Sequence, residues 1–142
     1  MEHQLISALQ STPNNLNLLI SRLVSSALPT AVRRKSFILN DIPHELYIAG
    51  IENILAAVLS NLLNTVVSHT ENSCIRISAK VYGGITLVYM KDSGSLNNYT
   101  VACQLQELQL LAKKVGGCIS VINRRTEAPS IAFSFPHMAK AA

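Results

Sequence analysis

The sequence predicts an α+β fold, a two-layer α/β sandwich in which helices cover one face of a mixed, mostly antiparallel sheet. Three observations carry that prediction. Gly83-Gly84 sits between two runs of alternating apolar and polar residues, the signature of a tight hairpin. Two long stretches, Glu52 to His69 and Ala102 to Val115, repeat their apolar residues at helical spacing. After the second stretch, Gly116-Gly117 leads into two further strand-like runs. With 142 residues, 49% hydrophobic and 14% charged, the chain can bury one substantial core, and a disordered charged tail is excluded.

Taken in order, residues 1–34 read as an N-terminal helical segment and residues 35–138 as the domain proper. The segment breaks at Ser11-Thr12-Pro13, with Thr12 as N-cap and Pro13 at the first helical position. Leu16, Leu19, Ile20, Leu23 and Val24 then recur at helical spacing, and Pro29 stops the run. Residues 36–40 read as a short strand, Pro43 interrupts, and residues 46–49 read as a second, partnered strand. The helix from Glu52 to His69 places Ile51, Leu55, Val58, Leu62 and Val66 on one face. Asn61, Thr65 and Ser68 form a polar stripe beside it, either a helix edge meeting water or the wall of a pocket.

In the hairpin, residues 74–82 pair with residues 85–92. A two-residue turn sets Val81 opposite Thr86, Ala79 opposite Val88, Ile77 opposite Met90 and Ile75 opposite Asp92. Asp92 thus continues the core-facing alternation. Either it is buried and must be bonded, paired or turned to a cavity, or the strand has ended and it opens the Asp-Ser-Gly turn. The second helix carries Leu105, Leu108, Leu111, Ala112 and Val115 inward, with Lys113 and Lys114 at its negative end. Strands over 118–123 and 130–135 close the domain, joined by the polar residues 124–129, with Ile131, Phe133 and Phe135 on one face.

The net charge of +4 comes from scattered bases, adjacent only at Arg33-Arg34-Lys35, Lys113-Lys114 and Arg124-Arg125, so a solvated surface and no nucleic-acid partner is the expectation. Cys74, Cys103 and Cys118 form no CxxC and suit a reducing cytosol. No apolar run approaches the roughly 18 residues of a membrane span, and no signal peptide is visible, so a cytoplasmic location is expected.

In this order the motifs resemble the ATP-binding domain of sensor histidine kinases, the GHKL or Bergerat fold. Residues 55–70 (LAAVLSNLLNTVVSHT) resemble its asparagine-box helix, and residues 85–94 (ITLVYMKDSG) the strand entering its Asp-x-Gly-x-Gly box. Residues 111–122 and 131–136 resemble its closing helix, Gly-Gly turn and terminal hairpin, and residues 36–46 its entry strands. The resemblance implies ATP and magnesium between sheet and helices, with nucleotide-binding positions at Asn61, Thr65, Ser68, Asp92 and Gly94. Asp92 falls on the carboxylate that accepts the adenine amino group, and Gly94 on the first glycine of the box.

The same overlay implies losses. Thr65 replaces the second, magnesium-coordinating asparagine; Asn64 lies one residue early, about 100° around the helix. Ser68 replaces the usual base near phosphate, and Leu96 replaces the second glycine, where a backbone must approach a ligand. Residues 102–105 contain no glycine for a phosphate-cradling turn, and residues 95–101 are too few for the mobile lid. His44-Glu45 resembles the family's phosphoacceptor pair only superficially, since Pro43 precedes it in a strand-loop-strand context. His69 is expected to be an interfacial or capping side chain, and no catalytic residue or metal-ligand cluster is expected elsewhere.

Three readings follow. The first is a degenerate, non-catalytic pseudokinase that binds a receiver domain or a kinase dimerisation domain and needs no cofactor. The second is a working ATP-dependent histidine kinase domain with a lid-less pocket, using ATP and magnesium. The third is a cleft that takes an adenine-like regulator. The first thirty residues lack the phosphoacceptor helix pair, which suggests a free-standing protein or a terminal domain, with a homodimer through the N-terminal helices as one arrangement.

Overall fold

The structure, a computed structural model, describes residues 14–48, 52–92, 98–122 and 130–136. The sequence expectations for Thr12, Pro13, Ala49, Ile51, Gly94, Leu96 and residues 123–129 lie outside the described residues, as do the side chains of Cys103 and Leu105. The elements are β1 (Asn14–Asn15), α1 (Leu16–Arg33), β2 (Phe37–Asn40), β3 (Tyr47–Ile48), α2 (Glu52–Ser68), β4 (Cys74–Tyr82), β5 (Ile85–Asp92), α3 (Asn98–Lys113), β6 (Cys118–Ile122) and β7 (Ser130–Pro136). A five-stranded sheet runs β2-β4-β5-β7-β6. Only β2 and β4 pair in parallel; the other neighbours are antiparallel. The three helices lie over one face of it, which is the predicted α+β sandwich.

The hairpin follows from its own sequence. Its register sets Ile75 opposite Asp92, Ile77 opposite Met90, Ala79 opposite Val88 and Val81 opposite Thr86, as the alternation predicts. Gly83 takes φ 58° and Gly84 a negative φ, the pattern of a type II′ turn, which only glycine enters cheaply at its first central position. From the covered face, Ile75, Ile77, Val88, Met90, Ile131 and Phe133 are fully buried against Leu59, Leu62, Leu63 and Val66 of α2. Burying each such side chain contributes about 1.5–3 kcal/mol, which makes the contact of α2 with the central strands the energetic centre of the fold.

The N-terminal part departs from expectation in two ways. The first helix is capped by Asn15, not Thr12: the Leu18 N–H donates to the Asn15 side chain at 3.0 Å, so α1 begins at Leu16. Nor does Pro29 stop it; α1 runs on to Arg33. Proline removes one N–H and crowds the preceding turn, yet its φ is helical, and the last turn beyond it is held by the fully buried Ala31. Leu16, Leu19, Ile20, Ala27 and Ala31 of α1 share the core of the rest of the chain.

The partner of the second entry strand is the other surprise. β3 pairs with β1 in a separate two-stranded sheet, Asn14 opposite Ile48 and Asn15 opposite Tyr47, and does not join the main one. Asparagine side chains tie this corner together. Asn17, 6% exposed, donates to the Ile42 carbonyl at 2.7 Å. Asn40 donates to the Asn17 carbonyl at 3.0 Å and accepts from the Ile42 N–H at 3.2 Å. At Ile42 these amides satisfy loop backbone that no ladder reaches, and Asn40 ties that loop to α1.

Candidate functional site

α2 presents two kinds of face. Leu55, Val58, Leu59, Leu62, Leu63, Val66 and Val67 are buried, while Asn61 and Ser68 are exposed and Thr65 is half-buried between them. The polar stripe predicted at Asn61, Thr65 and Ser68 therefore exists, and its first two members border a groove of about 730 Å³. α2 contributes Asn61 and Thr65, and α3 with the residue after it contributes Glu107, Leu108, Leu110, Leu111 and Lys114. Ser68 is not among the lining residues; it lies about 4.5 Å further along the helix axis than Thr65.

The polar groups of the stripe are turned onto their own helix. Asn61 Nδ2 donates to the Ala57 carbonyl at 2.8 Å, and Thr65 Oγ1 donates to the Asn61 carbonyl at 2.8 Å. His69 Nδ1 lies 2.8 Å from the Thr65 carbonyl, which can only accept, so this nitrogen carries the proton. His69 thus caps the end of α2. Back-bonding of this kind takes a hydroxyl proton out of the groove and leaves only the oxygen lone pairs facing it.

Asp92 belongs to the strand. It is 1% exposed on the covered face, directly across from the fully buried Ile75, so the core-facing alternation holds to the last residue of β5. The carboxylate takes part in an interaction within the fold, and its Oδ2 atom is buried without a hydrogen bond. It does not line the groove between α2 and α3. The structure therefore brings Asn61 and Thr65 together, sets Asp92 beneath the sheet-helix interface, leaves Ser68 outside, and does not describe Gly94.

Sequence reasoning missed the α3 side of the groove. α3 starts at Asn98, earlier than the predicted Ala102, because the apolar period that marks the helix in the sequence begins only at Leu105. Its inward residues Leu108 and Ala112 are buried as expected. The signal for the rest was available, since Glu107, Leu110, Leu111 and Lys114 also fall at three- and four-residue spacing. They form a second stripe on α3 that faces the groove, with one acid and one base. Leu110 stays 68% exposed, an apolar side chain on an open lip.

Among the described residues no group of three or more His, Cys, Asp or Glu converges on a metal position. Along this face of α2 the Thr65 hydroxyl is back-bonded to its own helix and Ser68 is exposed. Cys74 and Cys118 are thiols, and no helix is long and apolar enough to cross a membrane, both among the described residues.

No protein-family model matches the chain, and no curated protein matches it. Solved structures do. The Acinetobacter baumannii histidine kinase AdeS matches 89% of this chain and 67% of its own, with a TM-score of 0.74 at 10% identity. The catalytic domain of histidine kinase ThkA matches 89% of this chain and 95% of its own, with a TM-score of 0.72 at 18% identity. ThkA in complex with the response regulator protein TrrA matches 92% of this chain and 43% of its own, with a TM-score of 0.71 at 19% identity. Full-length ShkA in complex with AMPPNP matches 92% of this chain and 32% of its own, with a TM-score of 0.74 at 19% identity. Identities this low speak to architecture, and the architecture is the same in all of them: the chain has the histidine-kinase-like ATPase fold that its motif order predicts.

Proposed function

We propose that the chain is a non-catalytic, partner-binding relative of histidine-kinase ATPase domains, acting in two-component signalling in the cytoplasm. The observation that carries this reading is Thr65. At the position where the family places its magnesium-coordinating amide, the chain has a shorter hydroxyl whose proton is held by the Asn61 carbonyl at 2.8 Å. Ser68 and Leu96, at the phosphate and second-glycine positions, point the same way. A receiver domain or a kinase dimerisation domain is the proposed partner; the ThkA structure with TrrA pairs this fold with a response regulator.

Isothermal titration of the whole chain with Mg-ATP tests the reading. No heat of binding at millimolar ATP is the expected result. Micromolar, magnesium-dependent binding that disappears in Asp92→Ala, with that variant still folded by circular dichroism, would overturn it. Such binding would favour a working, lid-less kinase domain.

One observation favours a further reading, in which an adenine-like ligand regulates the domain without being turned over. Asp92 is kept as a buried carboxylate at the end of β5, where the family reads adenine. A native-state ligand must raise the melting midpoint. A midpoint shift with adenosine but none with Mg-ATP over adenosine would support this reading, and no shift with either would end it. Homodimerisation through the N-terminal segment belongs to the same proposal, since α1 exposes Leu18, Leu28 and Val32. Sedimentation equilibrium that finds a monomer at every concentration removes it.

A further inference from the structure

The face of the sheet turned away from the helices does not look like a surface built only for water. An antiparallel sheet covered on one side should alternate apolar inward and polar outward. β5 breaks that rule: its inward residues are Thr86, Val88, Met90 and Asp92, and its outward ones are Ile85, Leu87, Tyr89 and Lys91. Its sequence therefore reads as a strand buried on both faces, yet among the described residues the helices cover only one of them. Ile85 is 48% exposed and its neighbour Tyr82, across the turn, 54%. At the edge of the same face, β2 exposes Phe37 by 75% and Leu39 by 43%, while Asn40 turns the other way to bond α1. Two apolar clusters on one sheet face, Phe37 with Leu39 and Tyr82, Ile85, Leu87 with Tyr89, mark a contact surface.

The charged residues on that face have one sign. Arg76 stands beside Leu39 on one side and Lys91 on the other, and Lys80 stands beside Leu87. Ser78, Ala132 and Ser134 fill the gaps, with Tyr89 flanked by Ser78 and Ala132. No acidic residue occupies an outward position on β2, β4, β5, β6 or β7 among the described residues: Asp92 faces the core, Glu52 is on α2, Glu107 is on α3, and Asp41, Glu45 and Glu71 lie in connections. Bases set among apolar residues, with small side chains keeping the surface low, are complementary to an amphipathic segment that carries its own acids. The aromatic rings of Phe37, Tyr82 and Tyr89 lie on different cross-strand rows, so they make no stacking platform for successive bases of a nucleic acid.

We propose that the open face of the sheet, centred on β4 and β5, docks an acidic amphipathic segment of a protein partner. This surface is separate from the groove between α2 and α3, and the inference stands whether or not nucleotide binds there. Leu87, Tyr89 and Ile85 supply the apolar contact, and Arg76 and Lys80 fix sign and orientation.

Amide chemical-shift mapping on the full chain tests it, using a helical peptide of alternating glutamate and leucine faces, its lysine counterpart, and a single-stranded oligothymidine as probes. Docking predicts shifts confined to outward positions of β2, β4 and β5 with the acidic peptide, weaker binding in higher salt, and no saturable binding of the lysine peptide. The exposed double variant Arg76→Glu/Lys80→Glu should weaken the acidic peptide by about tenfold or more and leave the melting midpoint near that of the parent. Leu87→Ser should weaken it without changing its salt dependence. Equal binding of both peptides, shifts centred on the α2–α3 groove, or saturable binding of the oligothymidine in place of the acidic peptide would each overturn the proposal.

Discussion

Two helices in this chain end in the same hydrogen-bond pattern, but only one of them has the residue that pattern asks for. At the end of α1 the Lys35 N–H donates to Val32 at 3.0 Å and the Ser36 N–H to Ala31 at 2.9 Å. At the end of α3 the Gly116 N–H donates to Lys113 at 3.0 Å and the Gly117 N–H to Ala112 at 2.9 Å. Both are Schellman ends, which need a left-handed residue just past the helix. Gly116 meets that need at φ 71°, whereas Lys35 is driven to φ 56° with a full side chain. The difference separates two ways of stopping a helix. α3 stops because its sequence says so; α1 stops because its neighbours do, through the Asn72 N–H donating to the Arg34 carbonyl at 3.0 Å and Arg34 Nε donating to the Thr70 carbonyl at 2.8 Å.

The comparison breaks most sharply at Gly117. A Cβ there would stand 2.6 Å from the Ser134 carbonyl oxygen and 2.7 Å from Phe133 Cε1. Backbone on β7 would have to move, so Gly117→Ala should lose about 3 kcal/mol, read as a lower urea midpoint with an unchanged slope. Pro29→Ala acts in the opposite direction on α1. It restores a donor for the Ser25 carbonyl inside the helix and should add about 1–2 kcal/mol after the more flexible unfolded chain is counted; a variant less stable than the parent would mean that the ring itself is packed. Gly116→Ala asks alanine to adopt φ 71° and should lose about 1 kcal/mol, less than Gly117→Ala because its nearest contact is Pro136 Cγ at 3.4 Å. Lys35→Gly is the smallest change and the mirror of the last. It should gain about 0.5 kcal/mol, a midpoint higher by roughly 2 °C in a thermal melt, and no gain would show that the lysine pays no conformational cost at φ 56°.

Legibility in the sequence follows the same division. The Gly83-Gly84 hairpin could be read to the residue pair, because a two-residue turn leaves one register compatible with burying Ile75, Ile77, Val88 and Met90 together. The end of α3 was legible through Gly116-Gly117. The start and end of α1 were not. A proline and a threonine carried stronger local signals than Asn15 and Lys35, and at the C-terminal end it is the tertiary bonds of Arg34 with Thr70 and Asn72 that decide. β1 and β3 are two residues each, too short for any periodicity to show their pairing. Of the candidate site, the stripe gave Asn61 and Thr65 because both lie on one helix face, and alternation gave the orientation of Asp92. The groove needed a second helix whose rotation only packing sets, so Glu107 and Leu110 escaped notice and Lys114 was read only as a helix-end charge, although their spacing was in view.

The side chain of Gln109 has a consequence for measurement. Its amide meets the outer edge of β6 as a strand would: Nε2 donates to the Ile119 carbonyl, and the Ile119 N–H donates to Oε1 at 3.1 Å. The sheet is thereby closed on that side by a single residue of α3, and β6 cannot be extended by another chain at this point without first losing it. Because Ile119 N–H has its partner on a helix, its hydrogen exchange is a clock for the undocking of α3. A ligand or partner that tightens the groove should slow that one amide more than its neighbours in the ladder, and the reading comes from one resolved signal in a spectrum.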